Sequence, residues 1–395
     1  MARETLRPEG DRFDPRPVVL LVGALFLTFV PRMLLAPLLL RVEESFALSR
    51  VESGALFFFI SGGYSAAMLA SGFVAARLHH RGTITVALGV VGIGLWVLAA
   101  APTAAVFRLG LVILGAGAGL YAPSGIATLT DTVSARHWGK ALGLHEIAPI
   151  LGFFTAPVLV EISVRVATWR AMLIFFGAAC LLSAPVYFRL ARGGRFAGAA
   201  PKVRHVVSIV SQRTFWIVAL FFVLAVGLEV GVYSMLPTFL VTERGLSGTA
   251  ANGLVSLSRL TALLLVFSSG LLADRFGARL LIGVVCTAAG IATVLIGVSG
   301  GAILVVAVLL QPMLVAAFFP AGFIVLTGVT GAETRNLVIA MVIPLAYVFG
   351  GGVVPAGIGW LSARGRFDVG FVVVGLMMIA AVALLRALPR RDRPR

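Results

Sequence analysis

LARGGRFAGAAPKVRHVVSIVSQR, residues 190–213, is the longest non-apolar connection in the chain, and it falls near the middle. Six apolar runs precede it, at about 17–40, 51–76, 83–101, 104–129, 139–160 and 170–189. Six follow, at about 214–240, 249–273, 280–299, 301–325, 336–359 and 367–386. A helix rises 1.5 Å per residue, so about 20 apolar residues cross a hydrocarbon core of roughly 30 Å. The expected fold is therefore an all-α membrane protein of twelve transmembrane helices. They form two six-helix bundles, residues 1–190 and 213–395, joined by a linker at 191–212.

Composition agrees. Of 395 residues, 59% are hydrophobic and only 12% charged, and the mean hydropathy is +1.04, which leaves too little polar surface for a water-soluble domain. The net charge of +16 does not point to nucleic acid, because the basic residues sit in short segments between apolar runs. Cys180 and Cys286 each lie inside an apolar run, which supports neither a disulfide framework nor a cysteine metal site. Residues 1–16 are polar and mixed in charge, and the first apolar run is a full span, so the expectation is a retained helix rather than a cleaved leader.

The charge distribution orients the chain. With the N-terminus inside, 22 Lys and Arg fall on the inner side and 8 on the outer, which selects cytoplasmic termini and a cytoplasmic linker. Arg32 and Arg259 belong to neither side.

The two halves repeat. Pro37 and Pro237, Gly72 and Gly270, and Pro123 and Pro320 recur at offsets of 200, 198 and 197 residues. Span four reads LGAGAGLYAPSGIA and span eleven YVFGGGVVPAGIGW. Small residues let helix backbones approach and proline bends a helix, which suits either bundles that rock or plain close packing.

The end of span eight reads Gly270-Leu-Leu-Ala-Asp274-Arg275-Phe-Gly277-Ala-Arg279. Here the chain resembles the major facilitator superfamily, whose loop between helices two and three, repeated between eight and nine, has glycine, a small residue, Asp-Arg, a second glycine and basic residues. The resemblance implies a gating loop in which Asp274 meets donors at a neighbouring helix end while Arg275 and Arg279 hold the loop inside. The first-half copy is Gly72-Phe-Val-Ala-Ala76-Arg77-Leu-His79-His80-Arg81, with Ala76 at the acidic position and His79 at the second glycine. Gly143, Gly152 and Ala156-Pro157 resemble part of the family's antiporter motif on helix five, which ends here in Val160-Glu161 rather than a glycine pair. The family's frequent arginine on helix four corresponds to Leu111, with Arg108 three residues earlier.

Ionisable residues within the spans are Arg32, His145, Glu146, Glu229 and Arg259. A charge at mid-bilayer costs about 2.5–3.5 kcal/mol on the insertion scale, so such groups face a partner, the bundle interior or a watery cavity. Arg259 lies eleven residues before Gly270, roughly 16 Å from the inner end and near the midplane. Arg32 lies in the outer half. Two arginines from different halves can hold a carboxylate; they can also pair with Glu229 or Glu146, or gate. Glu229 is the first candidate for proton coupling and otherwise a permanent counterion for Arg259; Glu146 and His145 follow it. Tyr64, Tyr121, Tyr233 and Gln311 combine hydrogen-bonding capacity with apolar spans, as cavity groups or as partners between helices.

The expected function is proton-coupled secondary transport of a small organic anion, a carboxylate, by alternating access across a bacterial inner membrane. Its partners are the anion, protons and the bilayer, without nucleic acid, and the expected state is a monomer. No ATP-binding, metal, cofactor or catalytic motif is read. The alternatives are an exporter of drugs or amphipathic metabolites and a non-transporting receptor or scaffold.

Overall fold

The structure is a computed structural model that describes residues 15–198, 203–328 and 335–388. The basic ends at 1–14 and 389–395, linker residues 199–202 and the Arg335 side chain, all used in the charge reading, lie outside the described residues.

Before the linker the helices are α1 (Arg16–Met33), α2 (Leu35–Phe46), α3 (Arg50–Ala100), α4 (Ala104–Thr132), α5 (Trp138–His145), α6 (Ile147–Val166) and α7 (Trp169–Leu190). The linker itself carries a short helix, α8 (Val203–Val210), that the sequence reading did not expect. Then come α9 (Arg213–Val226), α10 (Val232–Thr242), α11 (Gly248–Phe276), α12 (Ala278–Val298), α13 (Gly301–Gly328), α14 (Arg335–Ala346), α15 (Val354–Ser362) and α16 (Phe367–Ala381). Ten helical segments among the described residues are long and apolar enough to cross a membrane, or eleven if the two parts of α11, bent by 45°, count as one.

One of those ten, α3, has 51 residues and would be about 77 Å long if straight, more than twice a bilayer core. It turns back on itself at His79 (φ 59°, ψ 165°). Its two arms then flank the same stretch of α4: a Cβ at Gly115 would overlap the Ile60 carbonyl, and one at Gly94 would meet the Leu114 nitrogen at 2.7 Å. The glycines of span four are thus close-packing residues.

Gly277, between α11 and α12, has φ 88° and ψ 136°, in the same region as His79. The loop motif places a glycine at this point because only glycine enters that region without strain, and the first half puts histidine there at a cost of order 1–3 kcal/mol. His79 is exposed, so its side chain contributes little packing. His79→Gly is expected to raise thermal stability by about 1–2 kcal/mol, net of glycine's greater chain entropy. An unchanged or lower melting temperature would show that the turn is not strained.

The first-half loop lacks its acid at Ala76, and the start of the linker holds it instead. Gly198 N–H donates to Ala75 O (3.0 Å), His80 N–H to Phe196 O (3.3 Å) and Arg81 N–H to Gly194 O (2.9 Å). Gly194 N–H reaches Asp131 Oδ2 at 3.0 Å, and the Phe196 ring packs on His80 at 4.5 Å. Arg77 is exposed, while Arg81 lies over the Phe188 ring at 4.6 Å.

In the second-half loop Asp274 is exposed and makes no hydrogen bond or ion pair among the described residues. Arg275 lies against the Phe276 ring (5.3 Å), and Arg279 donates to the Leu388 (3.1 Å) and Leu385 carbonyls.

Candidate functional site

Helices before and after the linker meet along two antiparallel seams, both at the end of the bundle away from the linker. In the first, α3 lies on α15 and the π-helical turn Tyr347–Val353 that precedes it. A Cβ at Gly54 would meet Pro355 O at 2.8 Å, one at Gly352 would meet Phe58 Cα at 3.1 Å, and Ser65 Oγ donates to Pro344 O at 2.9 Å. In the second, α6 lies on α11. Glu161 accepts from Thr249 Oγ1 (2.8 Å) and Asn252 Nδ2 (2.7 Å), and Ser256 Oγ donates to Phe154 O at 2.5 Å. Glu161, the departure from the antiporter pattern, is therefore a clamp between the halves.

Each seam ends, toward the middle of the bundle, at one of the two buried arginines. Beside Ser65, the first ends at Tyr64 and Tyr347, whose ring centroids are 4.5 Å apart, with the Arg32 guanidinium 4.0 and 4.9 Å from them. Beside Ser256, the second ends at Arg259, whose guanidinium lies 5.0 Å from the Phe153 ring and 4.8 Å from the Tyr233 ring. Phe29 joins the clusters, 5.2 Å from Phe153 and 5.7 Å from the Arg32 guanidinium. Between the halves, Arg32, Phe57, Ser61, Val230, Tyr233 and Gly351 enclose a cavity of about 10 Å³, room for one water.

The two arginines differ in enclosure. Arg259 is 2% exposed, and all three of its guanidinium nitrogens are sealed off without a hydrogen-bond partner among the described residues, whereas Arg32 borders the small cavity. The ring faces offer cation–π attraction, which does not replace hydrogen bonds to five donor hydrogens. Glu229 lies within its electrostatic reach, yet no ion pair joins them among the described residues, and Glu229 Oε2 is itself buried without a partner. The direct pairing of Arg259 with Glu229 or Glu146 that the sequence left open is not formed.

Local breaks in the helices position these groups. Pro37 has no N–H to give the Met33 carbonyl, so that carbonyl is free for the Tyr233 hydroxyl, which donates to it from across the interface at 3.3 Å. In the same way Pro31 leaves Leu27 O to the Cys180 thiol, at 3.4 Å. Glu229 stands on a π-helical turn, Gly227–Gly231, that faces the π turn carrying Tyr347; a Cβ at Gly231 would meet Gly350 O at 2.6 Å. Such turns shift the phase of a helix and recur at functional sites.

Other candidates have partners within the bundle. Gln311 Nε2 donates to Leu228 O at 2.9 Å, bracing the π turn under Glu229. Tyr121 donates to Leu21 O at 2.7 Å and lies 3.0 Å from His145 Nε2, while His145 Nδ1 is 3.2 Å from Glu146 Oε1. A hydroxyl has one hydrogen, so toward Nε2 Tyr121 accepts, and the Nδ1–Glu146 contact needs a further hydrogen from one of its two members. His145 is buried, whereas the Glu146 side chain is 61% exposed, about 12 Å along the helix from the start of α5. Arg108 pairs with Glu52 at 2.9 Å on the far surface. Tyr347, Phe29 and Phe153 were not singled out in the sequence; Tyr347 stands at the head of the glycine run in span eleven, and the two phenylalanines carry no distinguishing signal.

The sequence model of the Major Facilitator Superfamily matches residues 20–302. The chain belongs to the major facilitator superfamily. It is a secondary transporter working by alternating access, not an enzyme. No curated protein matches the sequence. Among solved structures, a bacterial homologue of the human lysosomal transporter Spinster, inward-facing and occupied, is similar over 95% of this chain and 97% of its own, with 16% identity and a TM-score of 0.80. The nucleoside transporter NupG, in a mutant form, is similar over 95% and 100%, with 14% identity and a TM-score of 0.76. A D-xylose–proton symporter covers 94% and 97% at 14% identity and a TM-score of 0.75. At these identities the likeness is one of fold.

Proposed function

We propose that the chain carries a small organic anion, a carboxylate, together with protons. The observation that carries this reading is Arg259: a buried guanidinium mid-way along α11, with no hydrogen-bond partner among the described residues for any of its nitrogens. A planar carboxylate would supply the two parallel acceptors that this fork of donors lacks. Arg32, Tyr64 and Tyr233 are its companions in the site, with Tyr121 and Gln311 bracing the helices that carry it. Glu229 is the first proton carrier and the His145–Glu146 pair the second.

In this reading twelve spans form two bundles, 1–190 and 213–395. The ten apolar segments support the count once the two arms of α3 are taken separately and bent α11 as one. The excess of 22 inner over 8 outer basic residues supports cytoplasmic termini and linker in a bacterial inner membrane. The sealed seams at the far end and the exposed Glu146 then correspond to a site reached from the cytoplasm. Asp274, Arg275 and Arg279, with Gly270 and Gly277, act in gating at the second-half loop. Gly72, Arg77 and Arg81 belong to the first-half loop, where the linker takes over the missing acid's part.

A second reading, export of amphipathic compounds, has support in the aromatic lining and in Gly152, where a Cβ would meet Phe29 Cδ1 at 2.6 Å, so that the partial antiporter motif lets α6 close on α1. The two are separated by a thermal-shift screen of purified protein against mono- and dicarboxylates, sugars, amino acids and lipophilic cations. A ligand at 100 times its Kd stabilises by about 2.7 kcal/mol. Carboxylates are expected to raise the melting temperature; a response confined to lipophilic cations would favour the exporter.

A further inference from the structure

On the membrane-facing surface, away from the central site, a groove of about 590 Å³ runs between α12 and the 3₁₀ turn Val382–Ala387 that ends the last helix. Gly283 opens it: a Cβ there would have Leu385 Cδ1 at 3.4 Å and nothing closer. Leu280, Val284 and Ile291, exposed by 59%, 58% and 48%, make an apolar wall, and the one hydroxyl in it, Thr287, is taken up by Gly283 O at 2.8 Å. The groove's charges lie at one end, Arg279 and Arg386, where the helices reach the linker side.

This separation matches one kind of molecule. From residue 279 to 291 is about 18 Å along the helix, a little over the depth of one leaflet's hydrocarbon. Arg279 is held at the mouth by its bonds to the Leu388 carbonyl and to the Leu385 carbonyl, which also accepts from Leu388 N–H as the 3₁₀ turn ends. Arg386 is exposed and makes no ion pair among the described residues. The sequence goes on with Arg390, Arg391, Arg393 and Arg395 against a single acid, Asp392. Basic clusters of this size at the membrane end of a helix attract anionic headgroups.

We propose that this groove binds an anionic phospholipid, its phosphate at Arg279 and Arg386 and one acyl chain along Gly283 to Ile291. A zwitterionic lipid of the same chains fits the groove but forgoes the net charge. Free phosphate meets the arginines but not the wall.

The test is native mass spectrometry of the full chain in detergent, supplied with phosphatidylglycerol or phosphatidylcholine of identical acyl chains. Phosphatidylglycerol is expected to be retained more strongly, and Arg386→Gln to weaken it about fivefold, the effect of about 1 kcal/mol per basic side chain. Gly283→Leu, which fills the groove without altering charge, is expected to release the lipid as well; if that variant does not fold, Ala288→Phe fills the same space. Inorganic phosphate in excess should not displace bound phosphatidylglycerol. Equal retention of the two lipids by the wild type, or wild-type retention by both kinds of variant, would overturn the proposal. Displacement by phosphate alone would overturn it too, leaving a free-anion site.

Discussion

Arg259→Met is expected to make the ligand-free protein more stable and to abolish its stabilisation by carboxylates. Burying a guanidinium without hydrogen bonds costs several kcal/mol of desolvation, which an apolar side chain of similar length does not incur. Methionine keeps the packing against Phe153 and Tyr233 through sulfur–aromatic contact. The carboxylate would lose a buried, charge-assisted partner, a loss of about 2–5 kcal/mol, or roughly 30-fold to several thousand-fold in affinity. Arg259→Lys keeps the charge but not the two-pronged geometry and should fall between. Melting curves with and without ligand read both effects at once. If Arg259 were a structural residue, methionine would destabilise the apo protein; a lower melting temperature together with an intact carboxylate response would end the binding role.

Depth was legible in the sequence where azimuth was not. The count back from Gly270 put Arg259 well inside its span, as its place mid-way along α11 agrees, and the 200-residue offset paired Pro37 with Pro237, the first of which explains the free Met33 carbonyl that Tyr233 reaches. The loop motif flagged position 79 as a glycine site held by histidine, and the backbone there has the left-handed φ that glycine serves. What composition could not give is which face of a span meets which neighbour. Tyr347 comes onto Arg32 because a π turn shifts the phase of its helix, and a phase shift leaves no mark on an apolar run. Gln311 had the same profile as Tyr233 in the sequence, yet one braces a backbone within its own half and the other crosses to the opposite one. The 51-residue α3 shows the converse: its polar turn, HHR, separated two spans on paper more clearly than the continuous helix does.

The two seams bear on how the site works. Arg259 sits one turn from Ser256, which makes its seam's last cross-interface hydrogen bond, to Phe154, while Arg32 lies on the ring of Tyr64, next to the Ser65 that bonds Pro344. An anion drawing Arg259 toward itself would pull on the α11 turn that holds Ser256. The linkage between ligand and seam is thus one helical turn long, about 5.4 Å, and needs no relay through the bundle.

Glu229→Gln is expected to abolish accumulation driven by a proton gradient while leaving substrate exchange intact. An anion held by Arg259 comes within reach of Glu229, and repulsion between the two negative charges favours the protonated acid, so anion and proton enter together. Besides Arg259, Tyr347 lies within the electrostatic reach of Glu229. One proton taken up per anion means that apparent affinity falls up to tenfold per pH unit above the titration point of Glu229. Glutamine mimics the protonated acid, so its affinity should be high and flat with pH, and counterflow should persist because exchange of loaded carriers needs no proton release. Gradient-driven uptake and counterflow in proteoliposomes, each measured across pH, separate these effects. Normal accumulation by Glu229→Gln would remove its role. Loss of accumulation in Glu146→Gln alone would move the proton to the His145–Glu146 pair, whose contact already requires a shared hydrogen.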